Sequence, residues 1–596
     1  MRNACKYSVA CMSWRRTEGQ LFLRSFGESP PWHSLSCGRL SIASVHVPTG
    51  VVYIPRSSAL SRMSDEQIPS TSGTQKKRKL DDFSRKPLTE DQLLRHLLES
   101  DEENFDSTDD ESWNIRGEDA ETDSSEDSGD EAGWETPAEN LPAEEDPESA
   151  LPASATRTPI TYVGHIPDRR EIPFTKNPGL KVGNPGSDPF DYFCLLANDD
   201  FFDLVIQETN FYANELLKKN RYPRARITEY RNLTRGEFET FLGLIYLMGI
   251  VRLPSIPDYW KRLEYIFDFP CFRSTISRDR FQIILRCMHF GRNPGVGDPL
   301  PSDPLYKIRP LLNLFTERMK EIYYPGKELC LDESMLLWRG RLSFRQYIQN
   351  KRHQHGIKLY MLSEPNGLIQ DIIVYTGAKD PDVGGRGHSN KVVRKLMDRF
   401  FFSGHSLYMN NYYNSVELSC DLLKKDTYTT GTLRSNRKYN PPQVLRKKLK
   451  RGESMQQYTS DGICVLKWND KRDVLMVSSE FNGDLQEVNL RGGKTVSRPK
   501  MVVKYNTYMG GVDRADQLMA YYPLERKSLR WYLKVALHVF HLMQINSYIL
   551  YNIYSGKKMT LKDFRISVIR SLIKKIKRFN HHSLISPKIL FTFLIS

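Results

Sequence analysis

Apolar and polar positions follow two patterns along this chain, and the change falls near residue 327. Before it the spacing is helical. Thr234-Arg-Gly-Glu237 reads as a capping box, and Phe238, Phe241, Leu242 and Ile245 follow on one face, so a helix is predicted to start there. Ser277 is placed to cap a second helix, with Phe281, Ile284, Leu285 and Met288 at i, i+3, i+4 and i+7. Residues 185–326 therefore read as mainly helical, with order beginning near Pro189.

Beyond 327 the runs are short and strand-like. Glu328-Leu-Cys-Leu-Asp332 reads as a strand ending in an acid, and Tyr347-Ile348 and Ile357–Leu362 read as further strands. Pro365-Asn-Gly367 is a turn signal, with a return strand over 368–375. Val392–Phe402 reads as a helix, and Ser406–Met409 as a strand that stops at Asn410. After Pro441-Pro442 comes a basic segment, then strand-like runs at 462–468 and 473–479. Asn506–Met519 reads as a turn entering a helix, and Leu529–Tyr551 as a long apolar helix. From about 555 the chain is basic and then apolar without a clear pattern. Hairpin strands followed by a helix and another strand predict a mixed α/β core.

Charge sharpens the picture. The whole chain of 596 residues carries +14, but residues 99–148 hold 22 acids and one base, Arg116. That segment carries −21, which leaves +35 on the rest and makes a polyanion such as DNA the expected partner. The acidic segment is poor in aliphatics, cannot offset its chain entropy by burial, and is expected to be disordered. Lys76-Lys77-Arg78-Lys79 has the form that a nuclear import receptor reads, so the expected location is the nucleus. Met63, followed by a polar stretch, reads as the natural start, with residues 1–62 upstream sequence read through.

Nine cysteines are scattered singly, with no CxxC pair and none beyond Cys464, which argues against a disulfide framework or a zinc ribbon. The longest clean apolar run, Phe241–Val251, is too short to span a bilayer, so no membrane partner is expected.

Phosphoryl transfer on DNA often uses two divalent cations held by carboxylates distant in sequence, at strand ends or helix starts. Asp332 and Asp513 meet that description, although composition alone does not single them out. Longer motifs surround them. Leu331-Asp332-Glu333-Ser334-Met335, Arg339-Gly340-Arg341 and His355-Gly356-Ile357-Lys358 resemble the first-aspartate region of piggyBac transposases. Gly431-Thr-Leu-Arg434-Ser-Asn-Arg437 and Met509-Gly-Gly-Val-Asp513-Arg-Ala-Asp516-Gln517 match further segments, the latter with the third aspartate and a nearby acid. So do Met248–Pro254 with Asp258-Tyr259-Trp260, Ser277–Phe281, Arg526-Lys527 with Trp531, and Asn546–Tyr551. The resemblance covers roughly residues 185–552.

The resemblance implies an architecture: an α/β protein with an RNase H-like catalytic core (327–436 and 500–523) interrupted by an insertion domain (437–499). A split helical dimerisation and DNA-binding domain (185–326 and 524–560) flanks it, between a disordered tail (1–184) and a tail at 561–596. It also implies cutting and joining of DNA with Mg²⁺ or Mn²⁺ on Asp332 and Asp513, with Asp516 close by, and a homodimer. Arg434, Arg437, Lys438, Arg526, Lys527 and Arg530 would line the DNA path, whereas Trp531 reads as a core residue.

Three departures alter that expectation. The family's second aspartate position, before Asn-Tyr-Tyr-Asn-Ser, is occupied by Asn410. An amide has no charge to offset two cations, so strand cleavage is expected to be impaired. The cysteine-rich zinc module that usually ends such chains is missing, and His581-His582 without thiolates make no evident zinc site. Arg352 and Gln354 replace the usual Pro and basic residue before Gly356. Two rival readings stay open: an active transposase that tolerates Asn410, and a protein-interaction scaffold that recruits partners through the acidic segment.

Overall fold

The computed structural model describes residues 160–577, apart from 184, 264–266, 296, 300, 349–354, 490–492 and 494. Met63, the Lys76–Lys79 cluster, the acidic segment 99–148, Arg352, Gln354 and the His581-His582 pair lie outside the described residues.

Helices open the fold: α1 (Pro189–Leu196), α2 (Asp199–Lys219), α3 (Arg235–Ile250), α4 (Pro270–Thr275), α5 (Arg278–Cys287) and α6 (Arg309–Ile322). Thr234 caps α3 by accepting from the Glu237 N–H, and Ser277 caps α5 through the Arg280 N–H. Only the Thr234 half of the predicted capping box forms, because the carboxylate of Glu237 turns to Arg280 instead. It takes a bidentate pair from Arg280 at 2.6 and 2.7 Å, which ties α3 to α5. Order also starts earlier than Pro189. Residues 160–183 run as a strap along the body, where Ile172 N–H donates to the Tyr428 hydroxyl and Thr175 N–H to the Ser403 carbonyl. These backbone contacts lack the periodicity that sequence reading depends on.

The main sheet contains ten strands. In chain order they are β1 (Tyr162–Val163), β2 (Glu328–Leu337), β3 (Gln346–Tyr347), β4 (His355–Ser363), β5 (Ile369–Val374), β6 (Ser406–Met409), β7 (Tyr428–Thr432), β8 (Ser454–Thr459), β9 (Cys464–Asn469) and β10 (Asp473–Ser478). Across the sheet the order is β1-β8-β9-β10-β7-β6-β2-β4-β3, with β5 also on β4. Only the pairs of β6 with β2 and with β7 are parallel. Parallel neighbours need crossovers, and α7 (His388–Met397) and α8 (Val416–Leu423) supply them. Further elements are α9 (Pro442–Arg446), the hairpin β11 (Leu485–Asn489) and β12 (Thr495–Pro499), α10 (Lys500–Tyr508), α11 (Gly511–Tyr521), α12 (Trp531–Tyr554) and α13 (Leu561–Lys577).

Alternation along β2 assigns its two faces. Leu329 and Leu331 join Val392, Leu396, Leu418 and Leu422 of α7 and α8 in one core cluster. Cys330 packs on the other face with Tyr408 and Met509. Beyond it a larger cluster joins β4 and β5 to α11, α12 and the opening helices. Both faces are covered, so β2 tolerates polar side chains only where they are paired. The strand runs to Leu337 rather than stopping at Asp332, because Asp332, Glu333 and Ser334 are all buried and bonded inside it.

The C-terminal part holds another correction. Residues 561–577, read from sequence as part of a tail, form a helix that packs on α3. Arg565, 0% exposed, fixes it there. Its Nε donates to the Tyr246 carbonyl at 3.2 Å and one terminal nitrogen meets His541 Nε2 at 3.2 Å. Burial pushes this guanidinium down to about 10. An isolated arginine in an otherwise aliphatic stripe reads as a surface residue, which is why the pattern was not evident. Among the described residues no helix is long and apolar enough to cross a membrane.

Candidate functional site

Strand register brings the first two site residues together. Leu331 of β2 pairs with Met409 of β6, so Asn410, the residue after Met409, comes beside Asp332. Asn410 Nδ2 donates to Asp332 Oδ1 at 3.0 Å, and the Glu333 N–H donates to the same oxygen at 2.9 Å. Asn410 Oδ1 accepts from the Tyr412 N–H at 2.8 Å. A backbone donor on one atom and a carboxylate on the other leave a single orientation for the amide.

The residues after Asn410 hold it in place. Asn414, fully buried, donates through Nδ2 to the carbonyls of Met409 and Thr432, stapling the ends of β6 and β7. Ser415 caps α8 by accepting from Leu418 N–H at 3.1 Å. Gly431 faces Met409 across the parallel pair, and a Cβ there would collide with the Met409 carbonyl and the Asn414 amide. Sequence reading missed Asn414 and Tyr413. The Tyr413 hydroxyl donates to Glu333 at 2.9 Å on the opposite face of β2, which takes Glu333 out of the Asp332 site.

The third acid arrives on α11. Gly511 begins that helix against the sheet, where a Cβ would strike the Glu364 carbonyl, Cys330 Sγ and Ser363 Oγ. Within the first turn Asp513 is exposed, and further along Asp516 accepts from Ser334 Oγ at 2.8 Å. Ser334 shares a face of β2 with Asp332, so Asp516 reaches the same side of the sheet. Tyr505 of α10, also missed from sequence, lies within reach of these acids. Desolvation, reinforced by the negative charges of Asp332 and Asp513, pushes its phenol well above the usual range.

The donor set does not fit a pair of hard divalent cations. Among the described residues no group of three or more His, Cys, Asp or Glu side chains is gathered to hold a metal ion. The amide nitrogen of Asn410 points an N–H at the Asp332 carboxylate, where a bridging cation would need another anionic oxygen. Its carbonyl oxygen is already engaged by Tyr412.

The basic residues expected on a DNA path divide into two groups. Arg434 Nε reaches Asn411 Oδ1 at 3.4 Å, and Arg437 donates to the Tyr412 carbonyl at 2.5 Å, so both brace the Asn410 loop. Arg526 donates to the Leu253 carbonyl at 3.1 Å and to the Tyr259 hydroxyl. Arg530 donates to the carbonyls of Leu285, Arg286 and Met288, satisfying the C-terminal end of α5. Lys438 and Lys527 are exposed. Trp531 is 3% exposed and packs edge-on against Phe344, the core position expected of it.

The Transposase IS4 family profile matches residues 188–548. The chain therefore belongs to the Transposase IS4 family, of which it is a piggyBac-type member. It is 26% identical over 396 residues to human PiggyBac transposable element-derived protein 3, covering 64% of this chain and 64% of that protein. It is 27% identical over 362 residues to human PiggyBac transposable element-derived protein 2, covering 58% of each. The chain thus spans less than two thirds of the length of these curated relatives. Among solved structures, the cryo-EM structure of a piggyBac transposase synaptic complex with hairpin DNA aligns with a TM-score of 0.60 at 24% identity, over 70% of this chain and 86% of that one. At that identity the likeness concerns the fold.

Proposed function

We propose that this protein is a transposase-derived, nuclear DNA-binding protein whose metal-dependent strand cleavage and joining are impaired. The observation that carries the reading is the hydrogen bond from Asn410 to Asp332, which puts an amide donor where the reaction needs a second anionic ligand. The order β5-β4-β2-β6-β7, with antiparallel hairpins leading into a parallel trio, supports an RNase H-like core. On that reading β8 to β10 and the β11–β12 hairpin are the insertion, and α1–α6 with α12 and α13 are the split helical domain, acting in a homodimer. The +35 carried outside the acidic segment supports DNA as the partner. The Lys76–Lys79 cluster supports nuclear import; a reporter fused to residues 63–98 that stays cytoplasmic would count against it.

The test is nicking of supercoiled plasmid by the full chain with Mg²⁺ or Mn²⁺, beside Asn410→Asp. The expected result is no nicking by the unaltered protein and metal-dependent nicking by Asn410→Asp. Metal-dependent nicking by the unaltered protein, abolished by Asp332→Ala, would overturn the reading and restore an active transposase.

A further inference from the structure

Residues 446–451, Arg-Lys-Lys-Leu-Lys-Arg, form a cationic ridge whose backbone is fixed while its charges face solvent. The helix before it, α9, is seated by Val444, which is fully buried with Val416, Leu433, Ile463 and Val465. Lys467 of β9 donates to the carbonyls of Leu445 at 3.1 Å and Lys447 at 2.8 Å, holding the ridge down, and its own charge is met by Asp473 at 2.8 Å. Arg446, Lys447, Lys448 and Lys450 are exposed, and no ion pair to their side chains is present among the described residues, although the Lys450 backbone N–H donates to the Glu453 carboxylate at 2.8 Å. Arg451 reaches Asp470 at 3.5 Å. Four like charges in five residues repel one another, so the ridge has a standing affinity for a polyanion.

The strap is anchored beside this ridge. Its first described residues, Ile160 and Tyr162, pack into the same apolar cluster as Val444. Tyr162 pairs with Thr459 of β8, and its hydroxyl donates to the Tyr439 carbonyl, a few residues before the ridge. Eleven residues, 149–159, separate that anchor from Glu148, the end of the segment carrying −21. Eleven residues span at most roughly 40 Å, and a partner confined within that radius is present at millimolar effective concentration.

We propose that the acidic segment 99–148 folds back onto the ridge 446–451 of its own chain and competes there with nucleic acid. The competition rests on the DNA-binding reading above; the fold-back does not. Binding is electrostatic and intramolecular, so it weakens with salt and is insensitive to protein concentration.

Two measurements on the full chain separate the two parts. The first is zero-length carbodiimide cross-linking of a mixture of isotopically light and heavy protein, with peptide mapping. Links from acids of 99–148 to Lys447, Lys448 or Lys450 within one chain are expected; links only between chains, or only elsewhere, overturn the proposal. The second is affinity for a 30-base-pair duplex at about 0.1 M salt, where the Debye length is about 10 Å, using a version with every Asp→Asn and Glu→Gln in 99–148. It should bind at least tenfold tighter than the natural chain, and the gain should vanish at high salt and on adding Lys447→Gln, Lys448→Gln and Lys450→Gln. Equal affinity of the two versions overturns the competition. If neither version binds duplex, the DNA-binding reading fails, and the cross-links still decide the fold-back.

Discussion

The side-chain amide of Asn410 donates to the Asp332 carboxylate across 3.0 Å, at a distance where an aspartate in its place would set two like charges together. A protonless pair of carboxylates at that separation is unfavourable unless a cation lies between them. The amide of Asn410 instead gives Asp332 a neutral N–H donor.

Asn410→Asp should therefore lower stability in metal-free buffer, by about 1–3 kcal/mol from the lost hydrogen bond and like-charge contact. Ca²⁺ or Mn²⁺ should recover most of the loss, while the natural protein should show no metal response. Thermal unfolding of both proteins with and without the cations checks this. Equal melting temperatures in all conditions would sink it.

Arg530 and Lys527, three residues apart, should behave oppositely. Arg530 satisfies carbonyls at the end of α5, so Arg530→Ala should cost about 1–3 kcal/mol by stranding them. Lys527 is exposed, so Lys527→Ala should leave stability unchanged and reduce the salt slope of DNA affinity by about 1. Salt titration and thermal unfolding of the two variants test the contrast.

Arg280 and Glu237 are both largely buried at their bidentate contact. Without Arg280 the largely buried Glu237 keeps only the exposed Arg231 at 3.3 Å, so Arg280→Ala should cost about 1.5–3 kcal/mol for the lost charged hydrogen bonds. Denaturant unfolding measures it; a loss under about 1 kcal/mol would mean that the pair is solvated as surface pairs are.

Stability should fall as pH drops below 6.5. Burial holds His289 and His541 down to about 3 and His405 down to about 4. In the unfolded chain each takes up a proton near its usual value of about 6.5. A lowered folded-state value means that the contribution is fully present above about 6.5 and is lost as pH falls toward the folded value. Between pH 6 and 4.5 each group should contribute a slope approaching about 1.4 kcal/mol per pH unit. His289→Phe keeps the ring stacked on Tyr212 at 4.2 Å and should remove about one proton from that slope. An unchanged slope would exclude His289 from it.

Local signals were legible wherever the physics is local. Thr234 and Ser277 cap the helices they were expected to cap, because an N-cap bond closes within a few residues. The strand Ser406–Met409 was readable to the residue, since Asn410 ends its apolar run. That residue 410 carries an uncharged amide needed no structure at all. The expected end of a strand at Asp332 did not hold, because an acid inside a strand is tolerated once Asn410 and the Glu333 N–H bond it.

The sequence by itself determined much of the order of helices and strands between 189 and 554, the charge asymmetry and the chemical type of each candidate residue, all of which follow from neighbours in the chain. Tertiary structure decided what those residues do. The parallel register of β6 on β2 set Asn410 against Asp332, and Gly511 let α11 approach closely enough for Asp516 to reach Ser334. Packing bound the guanidinium groups of Arg526 and Arg530 to protein carbonyls. An arginine bonded to a carbonyl and one facing a phosphate look identical in sequence. The difference lies in which distant backbone groups were left unsatisfied nearby, and those exist only once the chain has folded.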